Sequence, residues 1–178
     1  MEDPRAGRII FVSSAVHRFS YRGGLRLDHL SGAAAAVDYD PIASYAQSKL
    51  AMVLHALDLN CRLRASRNAS EAHVGVFAVH PGAIITPGSE RARLESGGMR
   101  GAVLHRIGKP FLKSAQQGAA TTVYCCVFDH LRDSRVRGTS SGGYFSNCNR
   151  AKPAKFGSNV DQARALWDQC ERMLTRVL

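Results

Sequence analysis

Tyr45 and Lys49 stand four residues apart in the run Tyr45-Ala46-Gln47-Ser48-Lys49. Residues at that spacing share one face of a helix. A free phenol titrates near pH ~10 and is a poor base at neutrality. An ammonium beside it favours the phenolate and brings its titration down. Such a pair can move a proton to or from an alcohol oxygen. Taken alone, the spacing also describes an ordinary contact on a helix surface, so its meaning rests on what surrounds it. Ser13-Ser14 closes a short apolar run upstream, and His80-Pro81-Gly82 closes another downstream.

Other chemistries find less support. The seven histidines include no H-E-x-x-H and no finger spacing, so no metal site is expected. Five cysteines, at 61, 125, 126, 148 and 170, make an odd set without C-x-x-C. That pattern fits reduced thiols in the cytoplasm better than a disulfide framework. There is no G-x-S-x-G elbow of a serine hydrolase. Asn68-Ala69-Ser70 has the form of a glycosylation sequon. It is read as chance because residues 1–8 show no secretory signal.

The elements that must position these residues can be read from pattern. Arg8 to Ser14 and Val74 to Val79 are short apolar runs that read as strands buried on both faces, and Gly143 to Ser146 is a third, weaker one. Asp40-Pro41 opens a helix with a cap and a first-turn proline. Ile42, Ala46, Leu50, Val53 and Leu57 form its apolar face, and it should end among Arg64 to Asn68. Ser114-Ala115-Gln116-Gln117 has the form of a capping box, opening a helix through Ala119, Val123, Val127 and Leu131. Ser158 to Asp161 opens a last helix, with Val160, Ala163, Trp167, Cys170, Leu174 and Val177 on one side and Trp167 as a core anchor. Strands alternating with helices predict an α/β fold around a parallel sheet, with right-handed crossovers. The long segments 15–39 and 83–113 follow strand carboxyl ends, the edge where open parallel sheets bind ligands.

Composition sets the bounds. The 178 residues are 45% apolar and 21% charged, enough for one ordinary domain and unlike a disordered tail, a collagen or a coiled-coil rod. No run reaches the roughly 18 apolar residues of a membrane span. The net charge of +10 is spread along the chain, with only a loose cluster from Arg91 to Lys113. Without interleaved aromatics this reads as a solvated basic surface, so no nucleic acid is expected. The charge leaves peripheral membrane contact as a further reading.

In order, IIFVSS (9–14), YAQSKLA (45–51) and VHPGAIITP (79–87) resemble the short-chain dehydrogenase/reductase family. SSAVHRF (13–19), KPFLKSAQQGAATTVYC (109–125), GGYFSNC (142–148) and the long interval from Ser14 to Tyr45 are similar to its retinol-dehydrogenase-like branch, and most of all to the members that carry WW domains. The resemblance implies an oxidoreductase using NAD or NADP on lipophilic alcohols or carbonyls, retinoid- or steroid-like. Ser14 would polarise the substrate oxygen, Tyr45 would be the acid/base, and Lys49 would lower the Tyr45 pKa and bind the nicotinamide ribose. Pro81 and Gly82 would shape the loop against the nicotinamide, with Ile84 and Thr86 at its carboxamide. Residues 88–113 would form the variable substrate lid, and a homodimer is a further implication.

That family opens with a strand and glycine-rich turn that cradle the cofactor pyrophosphate. No segment here fits that turn, and only residues 1–8 precede the first strand. Residues 1–178 are therefore read as the C-terminal half of a Rossmann-like doubly wound domain: about three strands with flanking helices, carrying the catalytic residues and lid. Two expectations follow: low activity of this chain by itself, and a first strand that loses cover along one edge and on its two apolar faces. An inactive protein-interaction module is the alternative reading.

Overall fold

In a computed structural model, residues 7–30, 39–68, 71, 74–84, 112–127 and 143–176 are described. The elements are β1 (Arg8–Val12), α1 (Pro41–Ala65), β2 (Gly75–His80), α2 (Ala115–Val127), β3 (Tyr144–Ser146), β4 (Asn149–Ala151) and α3 (Val160–Leu174). The strands form one sheet in the order β1-β2-β3-β4. β1, β2 and β3 run parallel, with Ile10 opposite Phe77 and Ala78 opposite Tyr144. The fold is thus α/β around a mostly parallel sheet, as the alternating pattern predicts.

β2 separates two apolar layers, because successive side chains on a strand point to opposite faces. Val76 and Ala78 pack with Tyr144 against Val53 and Ala56 of α1. Phe77 and Val79 pack with Phe145 against Cys125 of α2. Helices therefore cover both sides of the sheet. α1 is itself a middle layer, since Leu50 and Leu54 meet Ala163 and Leu166 of α3. Its buried surface is accordingly wider than a single stripe, and Ile42, expected on the apolar face, is exposed.

The helix starts follow their sequence signals. The Asp40 carboxylate accepts from the Ile42 and Ala43 amides, both at 2.8 Å. The Ser114 amide donates to Gln117 Oε1 at 2.9 Å while the Gln117 amide donates to Ser114 Oγ at 3.2 Å, closing a reciprocal box. Asn159 accepts from the Gln162 amide at 3.0 Å.

Other expectations are corrected. β1 is not buried on both faces as its apolar run alone reads, and it loses cover as expected of this first strand. Ile9 and Val12 are exposed, one on each face, because β1 borders the sheet among the described strands. In α2 the packed residues are Gly118, Thr121 and Cys125, whereas Ala119, Val123 and Val127 face outward; Leu131 lies outside the described residues. Close approach explains the rotation, since a Cβ on Gly118 would collide with the Ile84 side chain. In α3, Leu166 is buried while Val160 and Leu174 are exposed, and Val177 lies outside the described residues. Trp167 is half-buried rather than a core anchor, stacked on His55 at 4.8 Å with the Arg62 guanidinium 4.5 Å from its ring.

A fourth strand, β4, was not expected. It pairs antiparallel with β3 through the two-residue turn Asn147-Cys148, both with positive φ. Two such residues are what a tight hairpin turn of the right twist demands. The segment after Ser14, expected as loop, begins with a 3-10 turn at Ala15–Phe19 and continues to another at Leu27–His29. Among the described residues no helix is long and apolar enough to cross a membrane.

Candidate active site at the carboxyl rim of the sheet

The carboxyl ends of β1 and β2 lie side by side because the strands are parallel and in register, Val12 opposite Val79. The Ser13 amide extends the pairing by donating to the Val79 carbonyl at 2.7 Å. Ser13 is buried, and its hydroxyl donates to the Lys49 carbonyl at 2.7 Å. In return, the Lys49 ammonium donates to the Val12 carbonyl at 3.3 Å. The backbone and the side chain of Lys49 are therefore both tied to the end of β1. This fixes the middle of α1 at the rim.

Tyr45 lies one helical turn back and is half-exposed, with the Lys49 ammonium 5.6 Å from its ring centroid. Ser14 is partly buried and caps the following 3-10 turn, its Oγ accepting from the Val16 amide at 3.3 Å. Lys49 is thus placed beside Tyr45 and, through Val12 and Ser13, against the strand end that carries Ser14. Pro81 and Gly82 continue from the neighbouring strand, with Gly82 at φ +98°. Ile84 forms a single bridge with Lys113, and its side chain packs on Gly118. Thr86 and all but the last two residues of the expected lid, 88–113, lie outside the described residues.

Three further residues complete the rim, and pattern reading did not single them out. His17 is buried; its Nε2 accepts from the Ala154 amide at 2.8 Å. The proton is then on Nδ1, which donates to the Ser14 carbonyl. Burial holds the His17 pKa below its ordinary value, against the opposing effect of that carbonyl. His80 Nδ1 accepts from the Ala15 amide at 3.2 Å and the Gly82 amide at 3.3 Å. Burial, and then the charge of Lys113, push the His80 pKa down. Lys113 donates to Asn147 Oδ1 at 2.5 Å and to the Pro81 carbonyl at 3.5 Å. It thereby ties the Pro81–Gly82 turn to the β3–β4 hairpin. A histidine in the strand-end sequence His80-Pro81-Gly82 was the one available signal among these.

A phenol, an ammonium and a hydroxyl at one rim can exchange a proton with an alcohol or carbonyl oxygen. Among the described residues no cluster of three His, Cys, Asp or Glu could hold a metal ion. Lys49 offers the rim a cation beside the Tyr45 ring, and Gly82 adds no side chain to its turn, where the Lys113 side chain lies within 3.0 Å of the place a Cβ would take. Among the described residues, no glycine-rich turn opens a long helix to take a pyrophosphate.

No family model matches the chain. It is 35% identical over 171 residues to the WW domain-containing oxidoreductase of Pongo abelii, covering 94% of this chain and 37% of that protein. It is 32% identical over 162 residues to the short-chain dehydrogenase TIC 32 A, chloroplastic, of Brassica napus, covering 91% of this chain and 45% of that one. It is 29% identical to retinol dehydrogenase 12 of Mus musculus, covering 96% and 47%. The chain thus spans less than half the length of these relatives. A crystal structure of an uncharacterized protein from Mycobacterium Paratuberculosis superposes with a TM-score of 0.60 at 21% identity, over 94% of this chain and 50% of that one. That likeness concerns the fold alone.

Proposed function

Since the chain is by sequence a relative of the short-chain dehydrogenases/reductases over more than nine-tenths of its length, we propose that it carries the proton-transfer half of an oxidoreductase site for lipophilic alcohols or carbonyls. The observation that carries this reading is the double attachment of Lys49 to the end of β1, which sets its ammonium beside Tyr45. Tyr45 takes the proton from an alcohol oxygen, or returns it to a carbonyl oxygen, at its phenol oxygen. Ser14 Oγ donates a hydrogen bond to the same oxygen and holds it. NAD or NADP would supply the hydride chemistry when bound. Lys49, with Tyr45, would hold the ribose end, and Pro81, Gly82, Ile84 and Thr86 would border the nicotinamide. Residues 1–178 act in this reading as one partial domain working on an apolar substrate.

The test is NAD- or NADP-dependent oxidation of a panel of retinoid and steroid alcohols by the chain at high protein concentration, since low activity is expected of it by itself. Tyr45→Phe should lower kcat by about 10²–10⁴-fold, the usual weight of a positioned acid/base. Turnover that survives this substitution would overturn the role of Tyr45. A chain with neither turnover nor saturable binding of NADH or NADPH would favour the interaction-module reading instead.

A further inference from the structure

Ser14 and the Pro81–Gly82 turn leave different strands, so a shared substrate needs something to fix the gap between them. The His80 side chain spans it. One ring nitrogen, Nδ1, accepts from Ala15, the residue after the serine, and from Gly82 in the turn. We propose that His80 is a positioning residue whose neutral Nδ1 couples the serine loop to the Pro81–Gly82 turn, and whose protonation uncouples them. The proposal deepens the oxidoreductase reading, since it rests on that reading for what the two loops do.

The chemistry is simple. A nitrogen that accepts two amide hydrogens cannot carry a proton, so the neutral ring must be protonated at Nε2. One bond lies at the long end of the usual range and the other just beyond it, as sharing one acceptor would give. Protonating Nδ1 turns the acceptor into a donor facing two donors, and the Ala15 and Gly82 amides lose their partner together. The groups that bear on the ring from the packed segments are Lys113 beside the turn, and His17 and Arg18 from the 3-10 turn after Ser14. Each is a cation or becomes one in acid, so each opposes a charge on His80 and none offers it a partner. His17 adds a second fastening, from the Ser14 carbonyl to the Ala154 amide. Its tautomer is the opposite of that required of His80.

The experiment follows the side-chain nitrogen resonances of the ¹⁵N-labelled full chain from about pH 8 to pH 5, the range over which histidines titrate, together with the Ala15 and Gly82 amides. The expected result is a His80 ring bare at Nδ1 and protonated at Nε2 at neutrality. On acidification the ring should titrate below the ordinary 6.5, and both amides should shift with its midpoint. His80→Asn puts an oxygen acceptor in the place of Nδ1 but cannot titrate. It should keep both amides near their wild-type positions and abolish their common response to acid, whereas His80→Ala should displace both at every pH. A proton on Nδ1 at neutrality, amides that titrate independently of His80, or an asparagine variant that behaves like alanine would each overturn the proposal. Coupled titration without Tyr45-dependent turnover would sink the oxidoreductase reading and leave the coupling standing. Turnover without coupled titration would sink the coupling alone.

Discussion

Ser13 turns its hydroxyl inward to the Lys49 carbonyl, while Ser14, one residue on, sits at the rim and caps the turn that follows. Their substitutions should therefore separate stability from chemistry. Ser13→Ala removes the donor to a helix carbonyl and should cost about 1 kcal/mol, the usual net worth of one hydrogen bond, read as a lower urea midpoint. Ser14→Ala should change that midpoint less and, in the turnover assay, lower kcat while leaving KM within about twofold, as loss of a transition-state contact does. Equal losses of stability in the two variants would contradict this division. The sequence made the Ser13-Ser14 pair, Tyr45 and Lys49 legible, because strand ends and helical spacing are local patterns. It could not show that Lys49 is tied to β1 twice, nor that His80 and Lys113 reach across to other segments. Those contacts exist only once the strands lie side by side.

The elements show the same division between local and long-range information. Asp40-Pro41 and the Ser114–Gln117 box were readable because capping bonds close within three residues. Asp40→Ala should lower the urea midpoint by the equivalent of about 1 kcal/mol, the usual loss for an N-cap. The packed face of α2 was not readable. Val123 and Val127 are the obvious apolar residues, yet the helix turns its smallest residue, Gly118, toward Ile84. Filling that contact tests the orientation. Gly118→Val overpacks it and should destabilise by about 1–3 kcal/mol, whereas Val123→Ala on the exposed side should stay within about 0.5 kcal/mol. The β3–β4 hairpin carries little sequence signal because its strands are three residues each and its turn, Asn147-Cys148, lacks glycine.

Across the whole molecule, His17, His55 and His80 all have their pKa values lowered, chiefly by burial. A lowered folded-state pKa means that the unfolded chain binds protons first as the solution is acidified. Their stabilising contribution is therefore full above about 6.5, and it is lost as pH falls from there through the folded-state values. Thermal melts in a pH series should show Tm declining below that point, and a Tm that stayed flat to pH ~5 would contradict neutral burial. The Cys125 thiol gives the opposite limit: burial pushes its pKa up to about 12, so stability should fall as pH rises above its ordinary 9.0. The two-layer core also orders the molecule in time. β2 is hydrogen-bonded on both edges, to β1 and β3, and covered on both faces. Its amides should be the last to take up deuterium, opening only when the whole sheet does. The chemistry proposed at the rim would then be anchored to the slowest-breathing strand of the protein, with β1, at the border of the described strands, loosening earlier.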